Sequence, residues 1–237
     1  MNTTTKEANQ LLIVGITPYF LEKEAFWFEE NLQQILDARH TQNFFEDNII
    51  YLQKGSTYQF SQFLRKVDEM GYERVFKVTD PGEFAQHGGI IDIFPVNSIS
   101  AVRLDFLGNE IDSIKILSAQ GAGVQDRSAS GVRPASGWEK SREILKKRLK
   151  SQKLYSDLKG LKPGDYLVHL DHGIGQFIGI EKFQTTEKES QEYYVLQYDK
   201  EDKLYVPLGL ERKLSKFVSF QDPKVSRLGS SLWQKTK

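Results

Sequence analysis

Apolar residues change period several times along this chain, and each change marks an element. Residues 11–16 are a short continuous apolar run, and residues 49–53 are a second; both predict buried strands. Between them, Phe28, Leu32, Ile35 and Leu36 recur at helical spacing and predict one amphipathic helix over residues 21–40, opened by Pro18. Phe60, Phe63, Leu64, Val67 and Met70 follow the i, i+3, i+4, i+7 pattern. Gly71 stands just beyond, where a left-handed cap needs no Cβ, so a helix ends there. The period then drops to two, and strands are predicted at 75–78, 89–94, 101–107 and 110–117, the last two joined by a turn at Gly108-Asn109. In residues 101–107, Val102, Leu104 and Phe106 share one face, expected to be the core face, and Arg103, Asp105 and Leu107 share the other.

Residues 118–137 are rich in Gly, Ser and Ala with no apolar period, the composition of a flexible linker. Residues 138–159 predict a basic helix carrying Leu145 and Leu149 and ended by Gly160. Lys162-Pro163-Gly164-Asp165 reads as a turn. Beyond it, Tyr166, Val168 and Leu170 alternate with Leu167 and His169. Tyr194, Leu196 and Tyr198 alternate with Val195 and Gln197, and Leu204 and Val206 with Lys203, Tyr205 and Pro207. A polar turn at 199–202 separates the last two sets. Several short strands in about 55 residues predict a small barrel. The expected layout is an N-terminal helical segment (1–48, its first ten residues disordered), a first mixed domain (49–117), linker and basic helix (118–160), a β domain (161–220) and a trailing connection (221–237).

Charge supports two modules. Residues 1–138 hold 12 Lys and Arg and 18 Asp and Glu, a net of −6; residues 139–237 hold 20 and 14, a net of +6. Such asymmetry suggests different partners. The basic helix, with Lys146, Lys147, Arg148 and Lys150, is a candidate DNA-phosphate contact; the plainer reading is a solvated linker helix. There are no cysteines, which excludes disulfides, thiolate metal sites and thiol nucleophiles. The start lacks a basic leader, and no early apolar run approaches a membrane span, so no membrane partner is expected and a cytoplasmic setting fits.

Catalytic chemistry finds little purchase. His169 and His172 flank Asp171, but residues i and i+3 of a strand point to opposite faces unless the backbone bends, and no third ligand is suitably spaced. Asp171 and His172 are expected to hydrogen-bond the turn instead, with no metal held. Gly173, Gly175 and Gly179 lack dinucleotide spacing, and no phosphate-binding loop, nucleophile elbow or zincin motif occurs. No catalytic residue is assigned.

Two stretches resemble known families. Pro81-Gly82-Glu83-Phe84, Gly88-Gly89-Ile90-Ile91-Asp92-Ile93-Phe94-Pro95 and residues 103–113 resemble the UvrA-binding domain shared by UvrB and the transcription-repair coupling factors (Mfd). That resemblance implies a small α/β module like domain 2 of UvrB. Its UvrA contacts fall at His87, Arg103 and Leu107, where the family carries arginine, arginine and an aromatic. Residues 168–180, 192–198 and 203–207 resemble the polymerase-binding module that these factors share with CarD-type regulators. The implied fold is a Tudor-like or SH3-like barrel of about five strands, making the whole chain α+β. The implied partner is the β subunit of RNA polymerase, bound by strand pairing along residues 180–186. The implied contacts are Ile180, Phe183, Gln184, Thr185 and Tyr205, with Phe183 the main anchor.

The family couples stalled transcription to excision repair with an ATP-driven translocase. The ATP and Mg of that motor have no site in these residues, so the chain is expected to carry no cofactor and to stop short of a larger protein or work beside a separate motor. The large segments that family members place before the UvrA-binding domain, and between it and the barrel, are reduced or missing. The alternatives are a CarD-like regulator that binds polymerase without a repair role, and the N-terminal piece of a true ATPase.

Overall fold

A strand pair near the start of the chain is antiparallel, its two strands adjacent in space but distant in sequence. In the computed structural model, which describes residues 6–117, 143–146, 158, 160–186 and 189–228, β2 (Gln10–Val14) pairs with β3 (Ile49–Gln53) in register Leu12↔Tyr51. Residues of the expected 1–48 segment and of the following domain thus share one ribbon. Within the first ten residues, expected to be disordered, β1 (Lys6–Glu7) pairs with β8 (Glu110–Ile116). The expected linker and most of the basic helix lie outside the described residues.

Between β2 and β3 the single helix expected over 21–40 is broken into α1 (Pro18–Leu21), α2 (Ala25–Glu30) and α3 (Leu32–Thr41), followed by α4 (Asn43–Asn48). Two breaks have visible causes. Glu24 is extended (φ −81°, ψ 159°), and Asn31 leaves helical geometry (φ −106°, ψ 12°), closing α2 one residue before α3 begins; its side chain and its backbone N–H both donate to the Trp27 carbonyl, at 2.8 and 3.1 Å. Phe28 and Ile35 are buried, as their spacing requires.

Helix α5 (Phe60–Glu69) matches its pattern: Phe63, Val67 and Met70 are buried, and Gly71 takes φ +90°. Its N-terminus has no side-chain cap of its own; Asn109 Oδ1, from a turn distant in sequence, accepts from Phe60 N at 3.1 Å.

The first unit (residues 1–39 and 45–148) is built on a six-stranded sheet, β1-β8-β7-β6-β5-β4, with β4 (Glu73–Arg74), β5 (Glu83–His87), β6 (Ile90–Ile93) and β7 (Val102–Leu107). All pairs are antiparallel except β4–β5. Ile91, Ile93, Val102, Leu104, Ile111 and Ile114 form one core with Phe63 and Val67 of α5 and with Ile13, Ile50 and Leu52 of the ribbon. The expected strand at 75–78 is not formed. Pairing ends when Val75 N donates to the Phe84 carbonyl, and Phe76 then projects away from the protein.

The second unit (residues 40–44 and 149–237) holds β9 (Tyr166–His169), β10 (Gly173–Thr186), β11 (Glu189–Gln197), β12 (Lys203–Pro207) and β13 (Leu214–Lys216) in the order β12-β11-β10-β9-β13. The strand number is as expected, but the sheet is open: its outer strands β12 and β13 do not pair, and among the described residues no closed barrel is found. Leu167, Phe177, Leu196, Tyr198, Val206 and Leu214 form its core. The turn before β9 is held by Asp165, buried, whose carboxylate accepts from Lys162 N at 2.9 Å and pairs with Lys216 Nζ at 2.8 Å. Gly175 packs under Tyr198, where a Cβ would lie 2.9 Å from the ring.

Candidate protein-docking sites

On the six-stranded sheet, residues directly paired across antiparallel strands share a face. Asp92↔Arg103, Arg103↔Lys115, His87↔Ile90 and Ile90↔Asp105 are all such pairs. His87, Ile90, Asp92, Arg103, Asp105 and Lys115 therefore lie together on the face opposite the core, and Leu107 continues their row at the end of β7. The structure thus brings His87, Arg103 and Leu107 onto one surface, with Leu107 73% exposed. The β5–β6 turn is held tightly against β7: Phe106 N donates to the Gly89 carbonyl, and a Cβ on residue 89 would sit 2.7 Å from the Phe106 carbonyl oxygen.

Arg103 is not an idle cation. Its Nε and Nη2 donate to Asp92 Oδ1 and Oδ2 at 2.7 and 2.8 Å, a bidentate fork that raises its pKa through the Asp92 hydrogen bonds. Three guanidinium N–H groups remain for a partner. Beside it, burial pushes the Asp105 carboxyl up, but hydrogen bonds from Lys115 and Ser113 outweigh that and hold it low. Two apolar side chains on this surface escaped the sequence reading. Ile90 is exposed, and Phe76 is 90% exposed with its ring edge-on to His87 at 6.0 Å. Phe76 had no signal because the run around it reads as a strand.

The second surface lies along β10. Strand β9 pairs with β10 only from Gly173 to Gln176, whereas β11 pairs with it as far as Thr186. Past a bulge between Phe177 and Gly179, one edge of β10 therefore has no strand beside it among the described residues. Ile180 and Phe183 are exposed, at 53% and 44%, and Gln184 is exposed too. Thr185 lies in the strand, but its side chain is outside the described residues. Phe183 meets Tyr205 at 5.4 Å and Tyr193 at 5.6 Å, both edge-on, and Tyr193 meets Tyr205 at 6.4 Å. Tyr193 was not singled out in the sequence, because only the pairing register places it beside Phe183. Ile180, paired with Tyr194, is on the opposite face.

The other candidates behave differently. Residues 143–146 form a helical turn in which Lys146 pairs with Glu143 at 3.0 Å; Lys147, Arg148 and Lys150 lie outside the described residues. The His169 and His172 rings, expected on opposite faces, approach to 4.7 Å because the chain turns at 170–172. The turn is held by the His169 ring, whose Nδ1 accepts from Asp171 N at 3.1 Å, rather than by the side chains of Asp171 and His172; the Asp171 carboxylate instead pairs with Lys213. Burial, and then His172, lower the His169 pKa. Among the described residues no group of three His, Cys, Asp or Glu side chains forms a metal site, and no helix is long and apolar enough to cross a membrane.

Two family models match this chain. The UvrB interaction domain matches residues 50–138, and the CarD-like/TRCF RID domain matches residues 161–218. Among curated proteins, the chain is similar to the transcription-repair-coupling factor of Staphylococcus aureus strain USA300, with 36% identity over 111 residues, covering 40% of this chain and 9% of the relative. The same factor of Staphylococcus haemolyticus is 36% identical over 101 residues, covering 42% of this chain and 8% of the relative. The chain therefore spans about a tenth of the length of these relatives.

Proposed function

We propose that this chain, whose two matched domains are those of the N-terminal region of the transcription-repair-coupling factors, is an adaptor that docks on RNA polymerase through its C-terminal sheet and on UvrA through its N-terminal sheet. The observation that carries the reading is the unpaired edge of β10 beside an exposed aromatic cluster. An edge strand offers a row of backbone donors and acceptors, and a partner strand satisfies them while side chains on either face select it. The polymerase β subunit is the proposed partner, with Ile180, Phe183, Gln184, Thr185 and Tyr205 as contacts. Phe183→Arg places a charge in the aromatic cluster. It is expected to weaken capture of purified RNA polymerase at least about 30-fold, as loss of a hot-spot residue does; unchanged capture refutes the anchor.

UvrA recruitment is the second half of the proposal, through His87, Arg103 and Leu107. Arg103 supports it by keeping free N–H groups on the outer face. A CarD-like regulator without a repair role is favoured by the commitment of the Arg103 fork to Asp92 and by the absence of an arginine at position 87. Capture of purified UvrA by the chain separates the two readings. DNA contact by Lys146, Lys147, Arg148 and Lys150 is a subordinate proposal, tested by a salt-dependent shift in binding to a short duplex. Docking, not catalysis, is the proposed role, in a cytoplasmic setting. ATP-driven translocation is assigned to no residue here, and the purified chain is expected to show no DNA-stimulated ATP hydrolysis.

A further inference from the structure

The direction of each backbone group along β10 follows from one hydrogen bond two strands away. Leu208 N donates to the Glu192 carbonyl at 3.0 Å, so Glu192 turns its N–H and C=O toward β12. Successive residues of a strand point these groups to alternate sides, so Tyr193 and Gln191 face β10. Pro207, which has no N–H to give, stands opposite Tyr193, as this phase allows. Glu181 pairs with Tyr193 and Phe183 with Gln191, so their backbone groups are used inside the sheet. Those of Ile180, Lys182 and Gln184 aim outward. Upstream, the same side is already taken, because Phe177 N donates to the Asp165 carbonyl and its C=O accepts from Gly164 N.

The two faces of this open edge differ. On one, Phe183, Tyr193 and Tyr205 form the ring cluster. On the other, Ile180 lies beside Tyr194 and, one strand further, Val206 at the rim of the core. In an antiparallel docked strand, Phe183 and its opposite residue form a non-hydrogen-bonded pair, whose Cα atoms approach to about 4.5 Å and whose side chains are closest. The edge carries one charge of each sign, Glu181 and Lys182, so net charge selects little, and apolar side chains decide.

We infer that the occupant of this edge is an extended strand bearing two apolar side chains three residues apart, one packed on Phe183 and Tyr193 and the other on Ile180. Three is the spacing between Ile180 and Phe183, and an odd spacing puts the two side chains on opposite faces, where the two apolar surfaces are. The inference rests on the edge-docking reading and adds the chemistry of what docks. It also makes Tyr193 a specificity residue.

The test uses the full chain and three labelled peptides, each held extended as one arm of a hairpin. One carries Leu at i and i+3, one Leu at i and i+2, and one Thr at all of these positions. Fluorescence anisotropy is expected to show the i, i+3 peptide binding at least tenfold tighter than either other. Tyr193→Thr is expected to weaken it at least threefold, and Ile180→Thr with Phe183→Thr to abolish the preference, with far-UV circular dichroism unchanged. Equal affinities, a preference for i, i+2, or no binding by any peptide overturns the inference. Polymerase capture is measured on the same preparation. Capture without peptide discrimination sinks the spacing alone, whereas discrimination without capture sinks the polymerase reading alone.

Discussion

Single side chains in this protein do their work through partners that lie far off in sequence. Alternation in β7 put Arg103, Asp105 and Leu107 on one face, and the structure agrees, because Val102, Leu104 and Phe106 are the buried set. It did not reveal that Asp92 holds Arg103, since that depends on the register of β6 against β7. Gly89 is a similar case. A Cβ there meets a backbone oxygen, so Gly89→Ala is expected to cost about 1–3 kcal/mol in chemical denaturation, as overpacking does. His169 gives a pH prediction. Its pKa is lowered on folding, so below its ordinary value of 6.5 the unfolded chain binds the proton more readily than the folded chain. The stabilisation is full above that value and is lost as pH falls through the lowered one. His169→Asn, which keeps an acceptor for Asp171 N, is expected to flatten the dependence of melting temperature on pH between about 7 and 5. An unchanged slope refutes this role. Exposed Phe76 belongs to the same surface as His87; Phe76→Ser is expected to leave stability within about 0.5 kcal/mol while weakening UvrA capture.

Elements were legible where one period runs unbroken. Helix α5 follows its pattern to the cap because all its apolar residues meet one core. Residues 21–40 carry a helical period too, but a period states only which residues share a face. It says nothing of the backbone of Asn31, which leaves helical geometry and ends α2 at residue 30. Strand β10 illustrates the reverse. Its residues are ordinary strand formers, and its open edge arises because β9 stops at the partner of Gln176. Proline separates the two sides of such a strand. Lys182→Pro removes an outward N–H, so it is expected to keep the fold, with melting temperature within a few degrees, and to abolish polymerase capture. Glu181→Pro removes a ladder bond to β11 and is expected to lower the melting temperature well below that of Lys182→Pro. The opposite ranking in a thermal melt contradicts the assigned phase.

At the scale of the whole molecule, two units present two separate surfaces, and the proposed partners should be lost independently. Arg103→Ala is expected to reduce UvrA capture and spare polymerase capture, and Phe183→Arg to do the reverse; a variant that removes both refutes the two-surface adaptor. A small Tudor-like or SH3-like barrel is expected for the second unit, and its described strands form an open five-stranded sheet. Alternation implies several short strands and the family resemblance about five, but closure requires β12 and β13 to meet, and no local pattern encodes that meeting. The amino-acid sequence by itself determined that the chain is α+β, which face of residues 101–107 turns inward, and which two families it resembles, because alternation and turn chemistry act over a few neighbouring residues. Only the tertiary structure decided that β2 and β3 join the first domain's core, that Arg103 is already paired, that Phe76 stands exposed, and that β10 has an edge with no strand beside it among the described residues, flanked by three rings. Each of these depends on register between segments that the chain brings together from far apart.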